Sequence, residues 1–212
     1  MTAADISRAL ELLEEAYPEA KPELMYSSPF ELLIATILSA QCTDARVNQC
    51  TAKLFAEHNT PESIAALSFD ELADYIKPCG LYKAKGRNIL ATCEQLISLY
   101  GGAVPDTMEE LTALPGVGRK TANVVLSNAF GRPAIAVDTH VARLANRIGF
   151  ADTQDVIKIE RSLNEAIPVE SWSKAHHWLI YHGRRVCSAR RPKCDECTLT
   201  EVCRYFKERE AD

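Results

Sequence analysis

Apolar side chains recur along this chain with the period of a helix. Ile6, Ala9, Leu10, Leu13, Ala16 and Tyr17 are spaced by threes and fours that align on one face. The segments around 30–40 and 121–130 are apolar nearly all round, which predicts two buried, central helices. No stretch longer than four residues alternates as a half-buried strand does, so the fold class expected is all-α.

Punctuation supports the same reading. Ser28-Pro29-Phe30-Glu31 carries a cap, a proline at the first helical position and an acid three residues after the cap. Ser68-Phe69-Asp70-Glu71 and Asp106-Thr107-Met108-Glu109 repeat the cap-to-acid spacing, so Ser68 and Asp106 are expected N-caps. Gly101 and Gly131 stand where helices over about 83–100 and 119–130 should stop. Trp172 and Trp178 share a helical spacing and are expected in a core.

With 212 residues and 47% apolar composition, the chain has material for one large globular domain or two small ones. No basic start leads into an apolar run with a cleavage site, and no run of about 18 apolar residues occurs. The expectation is a soluble protein of the cytoplasm, associated with the nucleoid if the source is bacterial.

The formal net charge of -5 argues at first against a nucleic-acid partner. Residues 1–31, however, hold seven acids against two bases, which accounts for the whole excess. Beyond them Lys83, Lys85 and Arg87 form an acid-free run, readable as a solvated helix face or a phosphate patch. Residues 114–147 carry Arg119, Lys120, Arg132, Arg143 and Arg147 against Asp138 alone.

Of the eight cysteines, Cys42, Cys50, Cys79 and Cys93 lie in apolar-periodic segments and read as core packing. Cys187, Cys194, Cys197 and Cys203 are different: they fall within 17 residues, separated by six, two and five, among Arg184, Arg185 and Lys193. Four thiolates in so short a loop can converge on one centre, either zinc or an iron-sulfur cluster. Zinc ribbons usually pair two Cys-x-x-Cys knuckles, and a single close pair in a compact loop favours the cluster.

Leu114-Pro115-Gly116-Val117-Gly118-Arg119-Lys120-Thr121-Ala122 reads as a helix end, a two-glycine hairpin and a new helix. The new helix's first N–H groups and its dipole form an anion site suited to phosphate, although an ordinary helix-helix turn is also compatible. Asp138, eighteen residues after Lys120, is placed as the N-cap of a helix running to about 148.

The segments Leu38-Ser39-Ala40-Gln41-Cys42-Thr43-Asp44, Leu114 to Ala122, Val137 to Val141 and the Cys187 to Cys203 loop resemble, in order and spacing, the endonuclease III family of helix-hairpin-helix DNA glycosylases. The resemblance covers essentially the whole chain. It implies two helical subdomains with the active site in the cleft between them. Residues 22–133 would be a central barrel bearing the hairpin, and 1–21 with 134–212 would hold a 4Fe-4S cluster on Cys187, Cys194, Cys197 and Cys203.

The same resemblance makes Lys120 the nucleophile and Asp138 its carboxylate partner. The activity implied is excision of oxidised pyrimidines, followed by abasic-site lyase chemistry through a Schiff base. Gln41 and Leu81 resemble the family's residues that fill the gap left by a flipped base. Further DNA contacts would come from Gly116, Val117, Gly118, Arg119, His140, Arg143 and Arg184, with His140 also readable as structural. The expected partner is double-stranded DNA with damaged bases or abasic sites, bound by a monomer away from any membrane. Pyrimidine dimers stay open as substrates. A DNA-holding module would not need Lys120 or Asp138, and an electron carrier would not need the hairpin. The adenine-removing branch typically lacks the lysine and adds a C-terminal domain, whereas here nine residues follow Cys203.

Overall fold

A computed structural model describes residues 1–211, and among these every regular element is helical. The α-helices are α1 (Ala3–Ala16), α2 (Pro29–Leu38), α3 (Asp44–Glu57), α4 (Pro61–Ala65), α5 (Phe69–Ile76), α6 (Tyr82–Tyr100), α7 (Met108–Ala113), α8 (Arg119–Phe130), α9 (Thr139–Ile148), α10 (Val156–Ala166), α11 (Trp172–Arg185) and α12 (Arg204–Ala211). The chain forms two compact units, one spanning Pro22–Arg132 and the other joining Met1–Lys21 to the chain from Pro133 onward. No described helix is long and apolar enough to cross a membrane.

In the Pro22–Arg132 unit, α2 is the axis. All its residues from Phe30 to Leu38 are buried, and it packs against α3, α6 and α8. A helix apolar on every side needs neighbours all round, which is what its composition predicts. Its one central hydroxyl is satisfied locally, Thr36 Oγ1 donating to Leu32 O at 2.7 Å. Cys50, Cys79 and Cys93 are buried in this core, and Cys42 is half-buried against it.

The caps refine the sequence expectations. Ser68 and Glu71 form the full reciprocal box. Ser28 Oγ accepts from Glu31 N at 3.2 Å, but the Glu31 carboxylate reaches one residue further back, to Ser27 N at 2.6 Å. The third start is corrected by one position. Thr107, not Asp106, caps α7, its hydroxyl accepting from Glu110 N at 3.2 Å. Asp106 is engaged instead by the guanidinium of Arg132.

The basic run on α6 does not form one face. Side chains two apart on a helix point about 200° away from each other. Lys83 and Arg87 are accordingly exposed, and Lys85 between them is 5% exposed.

The second unit packs α1, α10 and α12 with α9 and α11. Its core includes Ala9, Leu13, Val141, Leu144, Ile148, Leu163, Trp178 and Leu179. Trp178 is 4% exposed, and Trp172 packs against the same cluster while its indole N–H donates to Ile167 O at 2.8 Å. His176 and His177 meet edge to face with centroids 5.0 Å apart.

Burial depresses the pKa of His177 to about 4. The folded value then lies below the ordinary histidine value near 6.5, so acid protonates the unfolded chain first. The stabilisation is fully present above pH 6.5 and is lost as pH falls towards 4. Between pH 7 and 5 the loss should be about 2 kcal/mol, and His177→Gln should lack that component. Urea unfolding of both proteins at the two pH values measures it, and identical pH dependence would contradict the assignment.

Candidate active site

After α7 the chain turns through Leu114–Gly118. Val117 N donates to Leu114 O at 3.1 Å, and the Val117 side chain is buried. Pro115 O accepts from Thr92 Oγ1 at 2.8 Å, which pins the hairpin to α6. The two glycines differ in role. Gly116 has φ +76°, and a Cβ on it would meet Asn88 Nδ2 at 2.7 Å, so both dihedral freedom and close approach require glycine there.

Gly118 is extended, at φ -92°, and forms the N-cap of α8 without a side-chain cap bond. A Cβ there would meet nothing within 4 Å. The first-turn N–H groups of α8 lack intrahelical acceptors, as at any helix start, and Gly118 leaves their approach open. Arg119 and Lys120 follow at once, both exposed.

Asp138 is the N-cap of α9, as its position in the sequence predicts. Its Oδ1 accepts from His140 N at 2.8 Å and Val141 N at 2.9 Å. Two backbone donors on one oxygen fix the carboxylate, and the second oxygen takes no part in the cap. Asp138 is half-buried.

Downstream on α9, Arg143 turns inward. Its Nη2 donates to Gly183 O at 2.9 Å and lies 3.1 Å from His140 Nδ1, while Nε donates to Cys187 O at 3.1 Å. The guanidinium therefore ties α9 to the end of α11 and to the start of the cysteine loop. Arg184 is exposed in the last turn of α11.

The four C-terminal cysteines line one small pocket with Arg147, His182, Val186, Leu199 and Phe206. All four are unpaired thiols. Arg147 Nη1 lies 3.3 Å from Cys187 Sγ and also donates to Ser188 O at 2.7 Å. Leu199 N donates to Cys197 Sγ at 3.4 Å, and His182 Nε2 lies 3.4 Å from the same sulfur. Tyr17 Oη is 2.9 Å from His182 Nδ1 on the other side of that ring. Burial pushes the free Cys197 thiol up to about 11, so a thiolate there at neutral pH needs a bound cation. Among the described residues no three His, Cys, Asp or Glu side chains close on a single ion.

Gln41 and Leu81 are both exposed, and both hold positive φ, +53° and +49°. They are the non-glycine residues in that region among those described. Three side chains were not singled out in the sequence for the places they take: Arg147 at the cysteine loop, His182 between Tyr17 and Cys197, and Lys85, whose Nζ donates to Leu38 O and Cys79 O. Arg143 and Arg147 are four residues apart on one face of α9, and that spacing was the available signal. For His182 and Lys85 the sequence held none.

The fold and the hairpin define a class. Residues 34–169 match the family described as "HhH-GPD superfamily base excision DNA repair protein". Endonuclease III of Haemophilus influenzae is 53% identical over 193 residues, covering 91% of this chain and 92% of that protein. The Escherichia coli K12 endonuclease III is 48% identical over 205 residues, 97% of each. A solved non-covalent endonuclease III–DNA complex matches with a TM-score of 0.94 at 48% identity over 100% of both chains. A thermostable thymine-DNA glycosylase, 24% identical with a TM-score of 0.87 over 97% of this chain and 98% of that one, shares the fold.

The chain belongs to the endonuclease III family, and so is a base-excision DNA glycosylase and lyase acting on damaged DNA.

Close approach of α11 to α9 depends on Gly183, where a Cβ would meet His140 Cβ at 3.0 Å, His140 Nδ1 at 3.1 Å and Arg143 Nη2 at 3.2 Å. Helix propensity alone would make Gly183→Ala stabilising by about 1 kcal/mol. The overpacked contact, costing about 1–3 kcal/mol, should offset that gain, for a net loss of up to about 2 kcal/mol in chemical denaturation. A net gain in stability would show that the two helices are not held this tightly.

Proposed function

We propose that this chain excises oxidised pyrimidines from duplex DNA and then cleaves the abasic strand, with Lys120 as nucleophile and Asp138 as its carboxylate partner. The observation that carries the reading is the local chemistry of two helix starts. One exposes an amine in its first turn behind an open glycine, and the other fixes a carboxylate with two backbone N–H groups. Among the solved relatives is a trapped covalent endonuclease III–DNA intermediate, 48% identical to this chain.

The neutral amine of Lys120 attacks C1′ of the extruded nucleotide, and the N-glycosidic bond breaks with its electron pair leaving on the base. Positive charge develops on the sugar, and the Asp138 carboxylate stabilises it. One amine proton passes to the departing base, and the ring oxygen takes up a proton as its bond to C1′ breaks, leaving a protonated imine between C1′ and Lys120 Nζ. Removal of a C2′ proton then expels the 3′ phosphate, and water hydrolyses the imine to free the lysine.

DNA is held, in this reading, by a phosphate on the first-turn N–H groups of α8 beside Gly116, Val117, Gly118 and Arg119. Arg184 and His140 add contacts, and Arg143 acts through the elements it ties together. Flipping a base leaves a gap in the stack, and Gln41 and Leu81 fill it. The protein acts as a monomer in the cytoplasm.

Cys187, Cys194, Cys197 and Cys203 hold a 4Fe-4S cluster. The donor set fits: four unpaired thiols line one pocket, and N–H groups of Arg147 and Leu199 point at two of the sulfurs. A cluster several atoms wide needs its ligands further apart than one ion would. When bound, it cross-links the loop and offers one-electron chemistry, and no step of excision runs through it.

Lys120→Ala should abolish borohydride trapping to abasic DNA. Asp138→Asn should slow excision by about 10²–10⁴-fold while keeping the fold, because asparagine caps a helix about as well as aspartate. Substantial excision of oxidised pyrimidines by both variants would refute the pair. For the cysteine pocket, purified protein should carry stoichiometric iron and sulfide with visible absorbance, lost in Cys197→Ala. Colourless protein binding zinc would replace the cluster by a structural zinc site.

A further inference from the structure

Lys85 is a buried cation that the proposed chemistry does not use. It lies near the start of α6 and is 5% exposed. Its Nζ donates to two backbone carbonyls from different parts of the chain, Leu38 O at 2.8 Å and Cys79 O at 2.7 Å. Leu38 is the last residue of α2, three before Gln41, and Cys79 is two before Leu81.

Lys85 N also donates to Leu81 O at 3.1 Å. One residue thus touches both segments that carry non-glycine residues at positive φ. Carbonyls at helix ends have no partner in their own ladder, and a cation is favoured at a helix C-terminus. Burial lowers the pKa of Lys85, and two carbonyl acceptors at hydrogen-bond distance replace part of the water its ammonium gives up.

We propose that Lys85 is a positioning residue whose ammonium clamps the turn after α2 to the turn before α6, so that Gln41 and Leu81 are presented together to the duplex. The proposal rests on the gap-filling role given to those two residues above. Left-handed backbone is costly for any residue with a Cβ and persists only where its surroundings enforce it. A buried ammonium bonded to both turns is such an enforcement. Two rigid wedges held in register also avoid the ordering cost that flexible loops would meet on binding. The clamp therefore acts on opening the duplex and leaves bond breaking to other residues.

Lys85→Met keeps the length of the side chain and removes its donors. In the whole protein, amide hydrogen exchange should rise together in residues 39–43 and 79–83. Affinity for a duplex bearing an oxidised pyrimidine should fall about tenfold, the effect of losing charge-assisted hydrogen bonds. Cleavage of a single-stranded abasic site, where nothing has to be unstacked, should stay within about twofold. Unchanged exchange in either segment, or equal loss on duplex and single strand, overturns the proposal.

Gln41→Ala and Leu81→Ala separate the two ideas. If both bind damaged duplex normally, the gap-filling role fails, and the clamp then stands or falls on the exchange result alone. If both bind weakly while Lys85→Met binds normally, the clamp is overturned. Should Lys85→Met fail to fold, Lys85→Gln, with two amide donors and no charge, should show the same changes at reduced size. Unaltered exchange in that variant likewise overturns it.

Discussion

A helix cannot satisfy the backbone at its own ends, where the first N–H groups and the last C=O groups have no partner in the ladder. In a chain whose regular structure is all helical, that requirement recurs at every junction, and the features of interest here are the places where it is met in unusual ways. Asp138 meets it with a carboxylate on the start of α9, and Gly118 leaves it open at the start of α8. Lys85 meets it for the end of α2 with a buried ammonium, and Arg143 for the end of α11 with a guanidinium. A cap made by serine or threonine, as at Ser68 or Thr107, only stabilises a helix. Asp155 caps α10 with the same two-donor carboxylate as Asp138, so a charged cap by itself marks no site.

Close approach is the second theme. Gly116 against Asn88 and Gly183 against His140 and Arg143 each admit a neighbour that one methyl group would displace. The first seats the hairpin on α6, so that the start of α8 is presented from a fixed base. The second lets α11 lie near enough to α9 for Arg143 to reach Gly183 O and Cys187 O at once. Close packing thus places the polar groups, and those groups hold the loops.

The basic residues divide into two populations that net charge cannot separate. Arg119, Lys120, Lys83, Arg87 and Arg184 are exposed. Arg143, Arg147 and Lys85 face inward onto carbonyls and sulfurs. A buried or half-buried cation is tolerated because several acceptors replace its water. An acidic chain can therefore both present a local basic surface and use cations as internal struts.

Much of the architecture was legible in the residues themselves. The all-round apolar composition of 30–40 announced α2 as central, the glycines at 101 and 131 marked where α6 and α8 end, and Asp138 was placed as the cap it is. These features are local: a helix period, a stop or a cap depends on residues within a turn or two of one another. The same locality explains the one-residue error at Asp106, whose side chain is drawn off by Arg132, twenty-six positions away. It explains too why Lys85 read as part of a surface run, why the inward bonds of Arg143 went unmarked, and why nothing in the chain marked the left-handed backbone at Gln41 and Leu81. Each of those outcomes depends on which distant carbonyl or carboxylate arrives beside a side chain, and that is decided only when the helices pack.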